Sequence, residues 1–88
     1  MGLIQPQKND MIGPQNDWER NALRTLNRNV CVATIDLTFR EAKAFCGLGS
    51  DKLSALRNGK DMNFTAITLL KIANGAGITP AELFRGVE

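Results

Sequence analysis

The chain has no histidine and no tyrosine, and it has only two cysteines. These absences remove most catalytic and metal-binding chemistry. Cys31 and Cys46 lie fifteen positions apart with no imidazole to serve as a base partner, so a cysteine nucleophile is not supported. Two thiols without histidine do not make up the four ligands of a zinc site. Each cysteine sits among apolar residues and reads as a small buried hydrophobe, and nothing else suggests the secretion that would favour a disulfide. The acids are scattered, with no Gly-Lys-Ser/Thr phosphate loop and no Gly-x-Gly-x-x-Gly turn after a strand. The expectation is a protein that is not an enzyme, with no catalytic residue, no cofactor and no metal.

Long apolar runs are missing too. No stretch approaches the roughly 20 residues that a membrane span needs. With Lys8 alone ahead of a mixed polar stretch, the N-terminus does not read as a signal peptide. A cytoplasmic protein with no membrane partner is expected. Eighty-eight residues are expected to make one domain, without a separate sensor domain. A core of that size is modest, and self-association would add stability.

Net charge is +2, too small to argue for nucleic acid, but the distribution is uneven. Between Arg20 and Lys60 there are eight basic residues against three acids, while the remainder has three against six. That asymmetry suits a protein presenting one face to a polyanion. Ordinary solvated helix faces give the same pattern, and Arg20, Arg24 and Arg28, spaced by four, read first as such a face.

Residues 1–16 hold Gly2, Pro6, Gly13 and Pro14 among amides, with no helical or strand period, and read as a flexible arm. Disorder or a groove-lying arm carrying Lys8 would both fit. The folded domain is then 17–88. Trp18, Ala22, Leu26, Val30 and Ala33 recur at steps of four and three, one face of an amphipathic helix capped by Asn16 or Asp17. Trp18 shares that stripe and reads as a core or dimer-contact residue. The β-branched run from Val30 to Ile35 leaves the helix end open.

Thr38 is the next cap, opening a short helix over Phe39 to Phe45 that stops at Gly47-Leu48-Gly49. A third helix runs from Ser50 to Asn58, with Leu53 and Leu56 facing inward and Gly59 ending it. Asn63 or Thr65 caps a fourth, in which Ala66, Leu69, Leu70 and Ala73 share a face with help from Ile72, closed by Gly75 and Gly77. Thr79-Pro80-Ala81-Glu82 combines a threonine cap, proline at the first helical position and glutamate at the third, and Leu83 and Phe84 would anchor this fifth helix on the core. Five short helices without a convincing strand predict an all-α, compact domain.

Two short helices joined by a tight glycine turn resemble a helix-turn-helix, a unit whose second helix enters the major groove. Ala42, Cys46, Leu48, Leu53 and Leu56 would hold the pair at a fixed angle. Leu37-Thr38, Gly47-Leu48-Gly49-Ser50 and Leu53-Ser54-Ala55-Leu56-Arg57-Asn58-Gly59 resemble the lambda-repressor and Cro (XRE-like) family. Leu69-Leu70-Lys71-Ile72-Ala73, Gly77-Ile78-Thr79-Pro80 and Ala81-Glu82-Leu83-Phe84 are similar to its fourth and fifth helices, so the likeness covers Trp18 to Phe84. Two positions depart from the pattern. Phe39 stands where the family often has a glutamine that contacts the DNA, leaving the phosphate contacts to Thr38 and Arg40 or altering the docking. Lys43 stands where a tight alanine contact is favoured, so either its stem snorkels outward or Ala42 or Ala44 fills the contact.

The resemblance implies double-stranded DNA as partner. Ser50, Asp51, Lys52, Ser54 and Ala55 would face base edges, and Asn58 and Lys60 would contact phosphates, with Arg57, Thr38 and Arg40 beside them. Lys52 suits guanine and Asp51 a cytosine amino group, though an acid in a first helical turn is also explained by the helix dipole. A homodimeric transcriptional repressor on a two-fold operator is expected, because a second half-site one helical turn away multiplies affinity. The dimer surface would use the fifth helix or the tail Arg85 to Glu88. A phage or prophage repressor, a Cro-like switch, a restriction-modification controller and an antitoxin would all fit. The alternative is a protein-interaction module of antitoxin or anti-repressor type, which keeps the fold without depending on DNA and has a toxin or anti-repressor as partner.

Overall fold

A computed structural model describes residues 14–87, and most of the expected N-terminal arm lies outside them. All regular structure among the described residues is helical. The first helix, α1 (Asp17–Ala33), starts where Asn16 Oδ1 accepts from the Glu19 amide at 2.8 Å, which settles the cap as Asn16. Asp17 and Glu19 sit in its first turn, favourably placed against the helix dipole. The β-branched run does not end it early. Thr34, fully buried, bonds back through its hydroxyl to the Val30 carbonyl at 2.9 Å and closes the helix there.

Thr38 opens the second helix, α2, with the Thr38 and Glu41 side chains each bonding the other's backbone amide. After one α-helical turn (Phe39–Glu41) it widens into a π-helical stretch, Ala42–Cys46. Gly47 ends it with φ of 74°, a left-handed conformation that glycine adopts without steric penalty. The Leu48 amide then reaches back to the Ala42 carbonyl at 3.2 Å. The third helix, α3, is Ser50–Arg57, and the fourth, α4 (Ala66–Ala76), is capped by Thr65 rather than Asn63. The fifth, α5 (Pro80–Leu83), carries the expected Thr79–Glu82 capping box with proline at its start.

Leu26, Val30, Ala42, Cys46, Leu48, Leu53, Leu56, Ile72, Ala73 and Leu83 form one core. Helix α4 packs most closely on the π-helical half of α2, and Gly75 makes that approach possible. A Cβ at Gly75 would lie 2.3 Å from the Phe45 carbonyl oxygen and 2.8 Å from Cys46 Sγ, closer than atoms can sit. Gly75 is therefore an interior contact residue and not the helix terminator expected from the sequence; α4 continues to Ala76 and Gly77 caps it.

Four apolar residues lie outside the core, among them Ala66, which was expected on the inward face of α4 and is exposed at its first turn. Trp18 is 60% exposed, lining a shallow cleft with Thr25 and Gly86, so of its two expected roles, core or dimer contact, the core one does not hold. Phe84 is 44% exposed, and Leu83 alone of that pair is buried. Leu70 faces outward, because the close contact at Gly75 turns α4 so that Ile72 and Ala73 lie inside.

Candidate nucleic-acid interface

Helix α3 is short and has two distinct sides. Leu53 and Leu56 face the core, while Ser50, Asp51, Lys52 and Ser54 are exposed and Ala55 is half-buried. The five residues expected to face base edges thus fall on one helix, four of them exposed to solvent. The turn before α3 is held from beneath by Leu48, which is completely buried. The Leu53 amide bonds the Gly49 carbonyl at 2.9 Å, so α3 starts directly from the turn.

All five apolar residues expected to fix the helix pair, Ala42, Cys46, Leu48, Leu53 and Leu56, are buried. The departure at Lys43 is resolved by helix geometry. The wide turn of α2 places Ala42 at the interior contact and leaves Lys43 and Ala44 outside. Burial raises the pKa of the Cys46 thiol, which lies 3.8 Å from the Ile72 carbonyl oxygen.

Of the residues assigned to phosphate, Thr38, Arg40, Asn58 and Lys60 are exposed. Thr38 Oγ1 already accepts from the Glu41 amide, leaving its hydroxyl proton for a further acceptor. Arg57 is placed otherwise. Its Nη2 donates to the carbonyls of Thr34 and Leu37 at 2.9 Å each and approaches that of Ile35, and its Nε is buried with no hydrogen-bond partner among the described residues. The guanidinium also stacks over the Phe39 ring, 5.6 Å from the centroid. No basic residue occupies the last turn of α1, and Arg57 brings a cation to the carbonyls just beyond that helix from elsewhere in the fold. Its guanidinium works as a clamp between α1, α2 and α3 rather than as the free phosphate ligand expected from the sequence. Phe39, in turn, has a packing role in place of a hydrogen-bonding one.

Sequence reasoning did not single out Asn27, which fixes the loop after α3. It is buried on α1, donates to the carbonyls of Leu23 and Met62, and accepts from the Met62 amide at 2.9 Å. An asparagine beside Leu26 on the apolar face of α1 was the available signal. Asn29 similarly donates to the carbonyls of Leu83 and Arg85, tying the end of α5 to α1. Arg24 pairs with Asp61 at 3.5 Å, which brings the basic stripe of α1 beside the loop that carries Lys60. Val87, the apolar residue of the tail considered for a dimer surface, packs partly against the chain's own core.

No group of three or more metal-ligating side chains occurs among the described residues, and no helix among them is long and apolar enough to cross a membrane. No family model matches the chain, and no curated protein or solved structure matches it.

Proposed function

We propose that the chain is a sequence-specific DNA-binding transcriptional regulator of lambda-repressor and Cro type, acting as a homodimeric repressor on a two-fold operator. The observation that supports this best is the exposure of Ser50, Asp51, Lys52 and Ser54 on the leading turns of a helix whose other side is locked by Leu53 and Leu56. A helix presented that way fits the width of the major groove, and short or flexible side chains on it allow close approach to base edges. Exposed Arg40, Asn58 and Lys60 flank it at the start of α2 and the end of α3, where backbone phosphates would run.

Titration of the protein onto mixed-sequence duplex DNA at rising salt tests the reading. Affinity should fall steeply with salt as counterions are released. Lys52→Glu and Asn58→Ala should each weaken binding by about 1–3 kcal/mol without loss of fold. Salt-insensitive binding, or none at low salt, refutes it. Selection from random DNA then gives the half-site and its spacing.

The exposed apolar residues Phe45, Ile67 and Leu70 favour a second reading, a protein-interaction module on the same scaffold. It predicts a protein partner whose affinity is unchanged by Lys52→Glu.

A further inference from the structure

We propose that the cavity between α1 and the end of α3 binds a small organic anion with an apolar body, of the aromatic or short acyl carboxylate class. The cavity holds about 300 Å³, at the small end of the sizes typical of ligand pockets. Helix α1 brings Arg24, Arg28 and Cys31 to its wall, successive positions on one helical face. The end of α3 and the loop after it bring Leu56, Arg57 and Lys60.

The charge on that wall is one-sided. Four cations face a single carboxylate, Asp61, and Arg24 already holds it at 3.5 Å. Arg28 and Lys60 have no ion-pair partner among the described residues. Arg57 is held by the Thr34 and Leu37 carbonyls and adds positive charge to the wall. Cations gathered around a concave, low-dielectric wall concentrate anions, and the guanidinium fork matches a carboxylate in shape.

The floor is apolar. Leu56 is buried in the core and Cys31 packs half-buried against it. Inorganic phosphate would satisfy the rim and leave this floor unused, whereas a ring or short acyl chain covers it. The site stands whether or not α3 reads DNA. Where it does, an occupant sharing Lys60 with a backbone phosphate acts as an effector.

Binding is measured on the full chain without DNA, so the outcome is independent of the DNA-binding reading. The probe is benzoate, titrated by amide chemical shifts, with benzyl alcohol and inorganic phosphate as comparisons. Benzoate should give saturable shifts at Arg28, Cys31, Leu56 and Lys60, and should bind at least about tenfold more tightly than either comparison compound. Iodoacetamide should alkylate Cys31 and spare fully buried Cys46, and saturating benzoate should protect Cys31. Arg28→Gln and Lys60→Gln, both at exposed positions that leave the core intact, should each weaken benzoate about tenfold. Unsaturable benzoate shifts, phosphate binding as tightly as benzoate, or unprotected Cys31 would each overturn the proposal.

Discussion

The central guanidinium carbon of Arg57 lies over the Phe39 ring, 5.6 Å from its centroid, while Nη2 holds the Thr34 and Leu37 carbonyls. One side chain of α3 thus ties together the exit from α1 and the start of α2. The orientation of α3 is set by this tie as well as by the apolar contacts of Leu53 and Leu56.

Arg57→Ala should destabilise the fold by about 1.5–3 kcal/mol, the range for hydrogen bonds made by charged groups. Phe39→Ala should cost less, about 0.5–1 kcal/mol for a cation–π contact at an open site. Urea denaturation of the two single variants and the double variant measures the coupling. Purely additive effects would show that the stacking contributes nothing.

Gly75→Ala should lower stability by about 1–3 kcal/mol, the usual cost of overpacking. In an ordinary helix interior the same change is favourable by about 1 kcal/mol. The difference in sign comes from the Phe45 carbonyl, 2.3 Å from where the new methyl would sit. Asn74→Ala, at an exposed position of the same helix, is the control and should be neutral or slightly stabilising. Thermal unfolding of both variants decides the matter.

Asn27→Ala strips the Met62 amide and carbonyl of their side-chain partner. A buried group left unsatisfied costs about 1–3 kcal/mol, so the loss should be of that order. Amide hydrogen exchange gives the local readout. Met62 should exchange much faster in the variant while the amide of Leu53, inside α3, keeps its protection.

Acidification should loosen the start of α5. The Thr79 amide bonds the Glu82 carboxylate at 2.8 Å, and chiefly for this reason its pKa lies below the ordinary glutamate value. A lowered folded-state pKa means that the contribution is present above the unfolded value and is lost as pH falls through the folded one. Carboxyl carbon shifts of Glu82 should therefore titrate at a lower pH than in an unfolded peptide. Thr79→Ala should remove the hydroxyl contribution but retain the amide bond, moving the midpoint up only part of the way.

Caps were the most legible feature of the sequence, because they depend on residues within three positions of each other. Asn16, Thr38, Thr65 and Thr79 each stand at a helix start, and two of the four make reciprocal boxes with glutamate. The core was legible wherever an apolar residue had a covering partner, as for Val30 or Leu53. Periodicity does not say whether such a partner exists, and Trp18, Leu70 and Phe84 have the right spacing but stay largely open. Arg57, Asn27 and Gly75 were hidden for another reason. Their partners Thr34, Met62 and Phe45 lie far along the chain, and each contact is to a backbone atom whose side chain carries no trace of it. Among the candidate site residues, the open side of α3 followed from its leucines, while the clamp role of Arg57 did not.

The broadened turn over Ala42–Cys46 accommodates one residue more than a regular α-helix would. Each α-helical residue advances the chain by roughly 100°. Deleting exposed Lys43 from an ordinary α-helix would turn everything before it by that angle, but here the surplus is what the wide turn already absorbs. The segment would instead close to regular pitch with Phe39 still beneath Arg57 and Ala42 still inside. The wide turn is thus the place where α2 tolerates a shorter chain.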